Sequence, residues 1–324
     1  MTRVVVLAGG YGGAKLAHGL AIVADGAGPA AAPIELSVVV NTGDDLELHG
    51  LLVCPDLDTV MYTLAGLANE ATGWGVRDET WSGREMLERY GQETWFALGD
   101  RDIATHLLRS KRMRAGARLT EVTAELAGAL GIRTRLLPMT DDIVRTKLRT
   151  DDGWLSFQDY FVGHHHAPEV HEVHFHGIEH AEPSVEVLEA VAHADRIVIA
   201  PSNPFVSIGT ILAVPGVLEA LMAAPAQIVA VSPLIGGAAV RGPADRMFVS
   251  LGGEASALGV ARHYADRYPG LLDGLVIDDV DAAQADEVGA LGLACRTAPT
   301  LMLSDDDRRR LALDVLAFGA RLAA

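Results

Sequence analysis

Five short, almost uninterrupted runs of apolar and largely β-branched residues constrain this chain most: Arg3–Ala8, Leu36–Val40, Arg196–Ala200, Gln227–Ser232 and Gly274–Asp278. A strand with one wet face alternates apolar and polar residues, whereas continuous apolar runs suit strands covered on both faces, as in parallel sheets. Between these runs, Ala14–Ala24, Asp102–Met113, Glu121–Leu130 and Ser184–His193 place Leu, Val and Ala three and four residues apart, the period of an amphipathic helix. The alternation predicts an α/β chain: a doubly wound, mainly parallel, Rossmann-like sheet. A length of 324 residues lies near the upper limit for one core, so 1–324 reads as a single α/β domain. One stretch departs from the pattern. Trp154, Leu155, Phe157, Tyr160, Phe161 and Val162, followed by Val170, Val173 and Phe175, predict an antiparallel pair within an inserted hairpin or α/β sub-domain at approximately 140–182. The Ala-, Gly- and Pro-rich residues 24–33 read as a surface loop.

Charge narrows the partners. With 26 Lys and Arg against 43 Asp and Glu, the net charge is -17 and the basic residues are dispersed, which argues against nucleic acid. The apolar runs are broken well short of the roughly 18–20 residues of a membrane span. The first strand passes directly into Gly9-Gly10, leaving no secretory apolar region, so no membrane partner and a cytoplasmic location are expected. Cys54 and Cys295 are far apart and read as reduced apolar thiols.

The glycine-rich segment Gly9-Gly10-Tyr11-Gly12-Gly13-Ala14-Lys15 follows the first strand and opens a helix, so backbone N–H groups and a positive helix end converge on one point. That arrangement suits a phosphate. It lacks the P-loop spacing and the full dinucleotide fingerprint, and a tight turn without ligand is the plain alternative. Gly10, Gly12 and Gly13 are candidate phosphate contacts, with Lys15 either a further contact or a solvated first-turn residue.

Asn41-Thr42-Gly43-Asp44-Asp45 follows the second strand and emerges at the carboxyl edge beside the glycine loop, where open α/β sheets bind ligands. Cys54-Pro55-Asp56-Leu57-Asp58-Thr59 precedes a probable helix. Carboxylates beside a phosphate repel it unless a cation lies between, and Mg²⁺ held by one or two carboxylates and phosphate oxygens is the usual solution. A metal is therefore expected. The plainer reading has Asp44 and Asp58 capping helices and Asp45 in water. Ser202-Asn203-Pro204 and Ser207 follow another strand, and Gly236 to Gly242 forms a second glycine-rich segment in which Gly237 and Arg241 could reach a diphosphate.

These residues together resemble a known family. The segments Gly9 to Lys15, Asn41 to Asp45, Cys54 to Thr59, Gly73-Trp74-Gly75, Trp95 to Asp102, Pro138-Met139-Thr140-Asp141-Asp142, Phe157-Gln158 and Ala200 to Pro204 are similar to those of the transferases of coenzyme F420 biosynthesis. That family comprises 2-phospho-L-lactate transferase and its actinobacterial phosphoenolpyruvate counterpart. The resemblance implies a Mg²⁺-dependent transfer of a phosphoenolpyruvyl or 2-phospho-L-lactyl group from its guanosine-diphosphate-activated form. The acceptor would be the terminal hydroxyl of 7,8-didemethyl-8-hydroxy-5-deazariboflavin, with release of GMP. It further implies small-molecule substrates and a homodimer, to which the aromatic Trp154–Val162 insertion also points. Mapped by motif, Asp45 and Asp44 become the catalytic candidates, and Asp45 and Asp58 the residues that would hold Mg²⁺. Asp45, Arg84 and Asp58 lie on the acceptor side, and the glycine loop, Ser202 to Pro204, Ser207, Gly237 and Arg241 on the nucleotide side. Two departures stand out: Tyr11 where relatives often carry a smaller residue, and Ala238 where a Lys is common.

Two other classes compete. A related scaffold serves as a nucleotide-sugar-binding regulator without turnover, and a nicotinamide dehydrogenase would require the complete dinucleotide fingerprint that is lacking here. His164, His165, His166, His171, His174, His176 and His180 crowd one segment, and His174 and His176 share a strand face at a spacing that could bind Zn²⁺. A solvated or interface hairpin is the alternative.

Overall fold

The computed structural model describes residues 1–26 and 33–323, so most of the loop read at 24–33 lies outside the described residues. Fourteen strands occur among them: β1 (Thr2–Ala8), β2 (Ile34–Val40), β3 (Leu46–Leu48), β4 (Leu51–Val53), β5 (Arg135–Pro138), β6 (Arg145–Thr150), β7 (Gly153–Ser156), β8 (Glu172–His176), β9 (Arg196–Ile199), β10 (Gln227–Val231), β11 (Leu234–Ile235), β12 (Ala238–Ala239), β13 (Gly274–Ile277) and β14 (Ala294–Thr297). Seven of them form one parallel sheet in the order β14-β13-β10-β9-β1-β2-β5. The expected doubly wound α/β architecture is therefore present. The order reverses between β1 and β9, so the loops after these two strands diverge and leave a crevice at the carboxyl edge.

Alternate residues of the central strands feed two cores. Val5, Leu7, Val39, Ile197 and Ile199 pack on one side with Val187, Val191, Ile211, Leu221, Phe248 and Val260. Val4, Val6, Val38, Val40 and Val198 pack on the other with Leu16, Leu20, Leu57, Met61, Val122, Leu311 and Val315. This division is why the strands read as continuous apolar runs. The helices foreseen are present with shifted ends: Gly10–Asp25, Asp100–Arg114, Leu119–Ala129 and Val185–Ala192.

The insertion differs in detail from the expected pair. β6 is central to a three-stranded antiparallel sheet, β7-β6-β8, and Asp159–Gly163 is a wide π-type turn where strand was expected. The turn lets Tyr160 reach a small apolar cluster with Leu148, Val170, Val206 and Met247, which fastens this sheet beside the crevice.

Candidate active site

The crevice holds a cavity of about 380 Å³, lined by segments far apart in sequence: the glycine loop, Asp44, Asp56, Asp58, the Trp95–Ala97 stretch, the Phe157–Val162 turn, Pro201 to Asn203, the 240–244 segment and Thr300 to Met302. All are set at or near the carboxyl edge by the topology.

The glycine loop is built as much for close packing as for an anion. The Ser202 hydroxyl accepts from the Gly9 N–H at 3.0 Å and donates to the Gly9 carbonyl at 2.8 Å. The Gly10 N–H is bonded to the Asp56 carboxylate. A Cβ on Gly12 would run into the Pro201 carbonyl, and one on Gly13 would lie 2.5 Å from Ser202 Oγ. Gly10 itself needs its left-handed backbone, φ +61°. Two N–H groups expected to face a phosphate are thus occupied by protein partners, and the glycines let the loops after β1 and β9 touch at the switch point.

Asp44 lines the cavity, whereas Asp45 is buried just behind the lining. The turn carrying them is fixed by Asn41, whose Oδ1 accepts from the Gly43 N–H at 2.8 Å and whose Nδ2 donates to Asp56 at 2.9 Å. Gln158 donates to the Asp44 carbonyl at 3.2 Å, which ties the inserted turn to the same corner. Burial raises all three carboxyls. Asp44 stands well above the usual carboxylate range through burial and the neighbouring Asp56. Asp45 is pushed up to about 7 by burial, against the opposing pull of Arg145. Asp56 is pushed up to about 6, against hydrogen bonds from Asn41 and Gly10. Asp44 Oδ1 and Asp45 Oδ1 are buried without a hydrogen-bond partner. Buried carboxyls whose negative charge lacks a full counter-charge, two of them with an unpartnered oxygen, suit a hard divalent cation such as Mg²⁺, which would favour their ionised, ligating form.

Asp58 is engaged differently. Pro55 occupies the first helical position of Pro55–Leu64, so Cys54 is the residue at the cap and Asp58 is not. Both Asp58 oxygens accept from Arg109, a residue only 1% exposed. Asp58, Asp102 and His106 bring their ligand atoms within 4.8 Å of one another. A guanidinium beside them opposes a cation, however. Because Arg109 can only donate, its 3.2 Å contact to His106 Nδ1 makes that nitrogen the acceptor and leaves the ring proton on Nε2, 3.3 Å from Asp102. Burial works to raise the Asp102 carboxyl, but His106 and the Tyr62 hydroxyl at 2.7 Å outweigh it and hold the group below its ordinary value. Arg109 thus offsets the Asp58 charge, while Asp102 is held by the hydrogen bonds of His106 and Tyr62. Asp44 capping a helix is likewise not what is seen, since a short hairpin follows it.

Asn203 caps the Pro204–Ile208 turn through the Phe205 N–H at 2.9 Å and also lines the cavity, as do Ser202 and Ser207. Pro204 and Gly237 lie outside the lining, Pro204 as the first residue of that turn and Gly237 in the bend between β11 and β12 at φ +80°. Arg84, mapped to the acceptor side, sits on the Ser82–Arg89 helix, pairs with Glu88 at 3.2 Å and does not line the cavity. Lys15 and Arg241 do line it. His174 and His176 are exposed on β8 opposite Lys147 and Arg145, cationic neighbours that disfavour a metal there.

Sequence reasoning left out Asp56, Arg109, His106, Tyr62 and the aromatic wall of Trp95, Phe96, Phe157 and Phe161. For Asp56 a signal existed, because Pro55 marks a helix start and so sets Asp56 in its first turn. Arg109 carried none, being one of many charges on an amphipathic helix.

A doubly wound α/β protein with a glycine loop, buried carboxylates and an aromatic wall around one switch-point cavity has the makings of a transferase of small molecules. The comparison with known families gives the particular one: the model of the 2-phospho-L-lactate transferase CofD family matches residues 4–290, and the chain belongs to that family. It is 47% identical over 325 residues to the phosphoenolpyruvate transferase of Kitasatospora aureofaciens, covering 99% of this chain and 98% of that protein. It is 46% identical to the enzyme so named from Streptomyces coelicolor (97% of each chain) and 43% to that of Mycobacterium bovis (93% of each). A solved UPF0052-family protein from Bacillus halodurans shares the fold, with a TM-score of 0.65 and 19% identity over 98% of this chain and all of that one.

Proposed function

We propose that this transferase moves the phosphoenolpyruvyl group from its guanosine-diphosphate-activated form to the terminal ribityl hydroxyl of 7,8-didemethyl-8-hydroxy-5-deazariboflavin, a step of coenzyme F420 biosynthesis. The relatives named phosphoenolpyruvate transferase favour that donor over the 2-phospho-L-lactyl one. The observation that carries the reading is the placement of the acidic pair. Asp44 is tied to Gln158, next to the aromatic wall, Asp56 is tied to Gly10, and the two carboxyls sense each other. A planar acceptor on the aromatic side and a diphosphate on the glycine-loop side would meet across them.

In this reaction the acceptor hydroxyl oxygen forms a bond to the phosphorus bearing the three-carbon acid. The bond from that phosphorus to the bridging oxygen breaks, and GMP departs with the electron pair. Asp44 and Asp56, at the cavity wall, would hold Mg²⁺, with Asp45 behind them. When bound, the ion would neutralise charge on the diphosphate. Asp44 also orients the attacking hydroxyl and takes its proton, positioning being worth more than basicity for a carboxylate acting on an alcohol. Asn203 and Ser207, which line the cavity, supply donors to the nucleotide end. We further propose a homodimer, supported by the half-exposed Trp154 on the inserted sheet.

Incubating the protein with the deazaflavin, Mg²⁺ and each activated three-carbon acid tests the reading directly. GMP should appear, faster with the enolpyruvyl donor. Absence of GMP with both donors would overturn the reading and leave a ligand-binding regulator in its place.

A further inference from the structure

Three side chains that line the cavity converge on one aromatic ring. Lys15 lies one helical turn after Tyr11, and its Nζ is 4.3 Å from the Tyr11 ring centroid. Arg241 arrives from the segment after β12, and its Cζ is 4.6 Å from the same centroid. The Tyr11 hydroxyl donates to the Glu70 carbonyl at 3.3 Å, which holds the ring against the 69–75 loop. The remaining partners of the two cations are neutral. Lys15 donates to the Met302 carbonyl at 2.6 Å, and Arg241 donates to the carbonyls of Ala71 and Thr72. Among the described residues neither cation pairs with a carboxylate, and Glu70, the acid that senses Lys15, is itself paired with Arg308 at 2.5 Å.

In a chain of net charge -17, two cations that line the cavity and pair with no carboxylate among the described residues mark a place reserved for an anion. A carboxylate partner would have to be displaced by an incoming phosphate. A ring face attracts a cation without neutralising it, so the charge stays available. The need is real here, because the Gly9 and Gly10 N–H groups are already taken by Ser202 and Asp56, and Ala238 carries no charge.

We infer that Tyr11 is the positioning residue of the diphosphate subsite, its ring holding Lys15 and Arg241 at one end of the cavity as the cations that receive the anion. The inference rests on the donor reading above and deepens it. A merely structural Tyr11, propping the 69–75 loop, would act on stability and leave the affinity for anions alone.

The test measures binding of GDP and of inorganic diphosphate to the full chain by calorimetry, together with GMP-release kinetics. Tyr11→Leu should weaken both ligands by about fivefold to tenfold, matching two lost ring contacts, and should raise the donor KM with kcat within about twofold. Tyr11→Phe should recover most of the loss. Tyr11→Leu should cost less in an Arg241→Met background, where one of the held cations is already gone. Because Tyr11→Leu can perturb folding, a graded series of fluorinated phenylalanines at position 11 keeps the shape while draining the ring's negative face, and affinity should fall stepwise along it. Flat affinity along that series, or unchanged GDP and diphosphate binding in Tyr11→Leu, overturns the inference and leaves the donor reading intact. Tyr11-dependent binding of diphosphate with no preference for GDP supports the inference and removes the guanosine donor. A wild-type protein that binds neither overturns both.

Discussion

At the scale of single residues, the site is dominated by carboxyls that the fold makes hard to ionise. Asp45 is held at about 7 instead of its ordinary 3.8, and Asp56 at about 6. A carboxyl raised in the folded state binds its proton more tightly there than in the unfolded chain. Stability contributed by the protonated form is present below about pH 4 and is lost as pH climbs to about 7, after which it is flat. Asp45→Asn removes the charge that the fold disfavours. It should therefore raise stability at pH 8 by on the order of 2 kcal/mol, with little effect at pH 4, while cutting GMP release by two orders of magnitude or more. Urea melts at the two pH values, set beside turnover, check this. A variant that gains no stability at pH 8 would show that Asp45 carries no electrostatic load, and one that retains full turnover that it carries no catalytic one. Much of this was legible, since Asn41-Thr42-Gly43-Asp44-Asp45 announces an acidic turn at a sheet edge. The order of the two acids was not. A two-residue turn presents one side chain to the cavity and the other to the core, and only the Asn41 and Gln158 hydrogen bonds decide which.

At the scale of elements, the glycine loop shows how a correct local reading can rest on a partial reason. The helical spacing of apolar side chains starts at Ala14, because the glycines of Gly9 to Gly13 carry no side chain to mark a period. The helix begins at Gly10, since tertiary packing against the β9 loop outweighs propensity. Gly12 and Gly13 are required by Pro201 and Ser202, which approach too closely for any side chain. Gly12→Ala should accordingly destabilise the fold by about 1–3 kcal/mol through overpacking and should weaken both substrates, because it pushes apart the two loops that define the crevice. Denaturant melts and the two KM values report this. A variant with wild-type stability would mean that the loops are not in register at the switch point. The strands followed the same logic. Those with both faces covered were visible as apolar runs, whereas β5 and β14, four-residue strands at the sheet's edges carrying Arg135 and Arg296, offered no such run. The turn at Asp159–Gly163 was read as strand because its aromatic residues suit either period over so short a stretch.

At the scale of the whole molecule, the doubly wound sheet places its ligand groups at one edge, and the inserted sheet adds what the sheet alone lacks, a flat apolar wall. Phe157 stacks on Phe161 at 5.6 Å with planes 10° apart, and Phe161 stacks on His166 at 5.6 Å with planes 19° apart. This ladder starts at the cavity and ends in the insertion. A planar deazaflavin laid on Phe157 would continue the stack, and the acceptor and donor ends of the reaction would then be supplied by different parts of the chain. Variants should separate by substrate. Phe157→Ala should raise the acceptor KM roughly tenfold, the scale of one lost aromatic contact, with the donor KM held within about twofold. Ser202→Ala should do the reverse, as its hydroxyl belongs to the glycine-loop side. Steady-state kinetics with each substrate varied in turn would show the split, and quenching of Trp95, which lines the same wall, would report acceptor binding independently of turnover. If Phe157→Ala raised both KM values equally, the aromatic ladder would be serving the shape of the cavity as a whole, and the acceptor would have to be placed elsewhere along its walls.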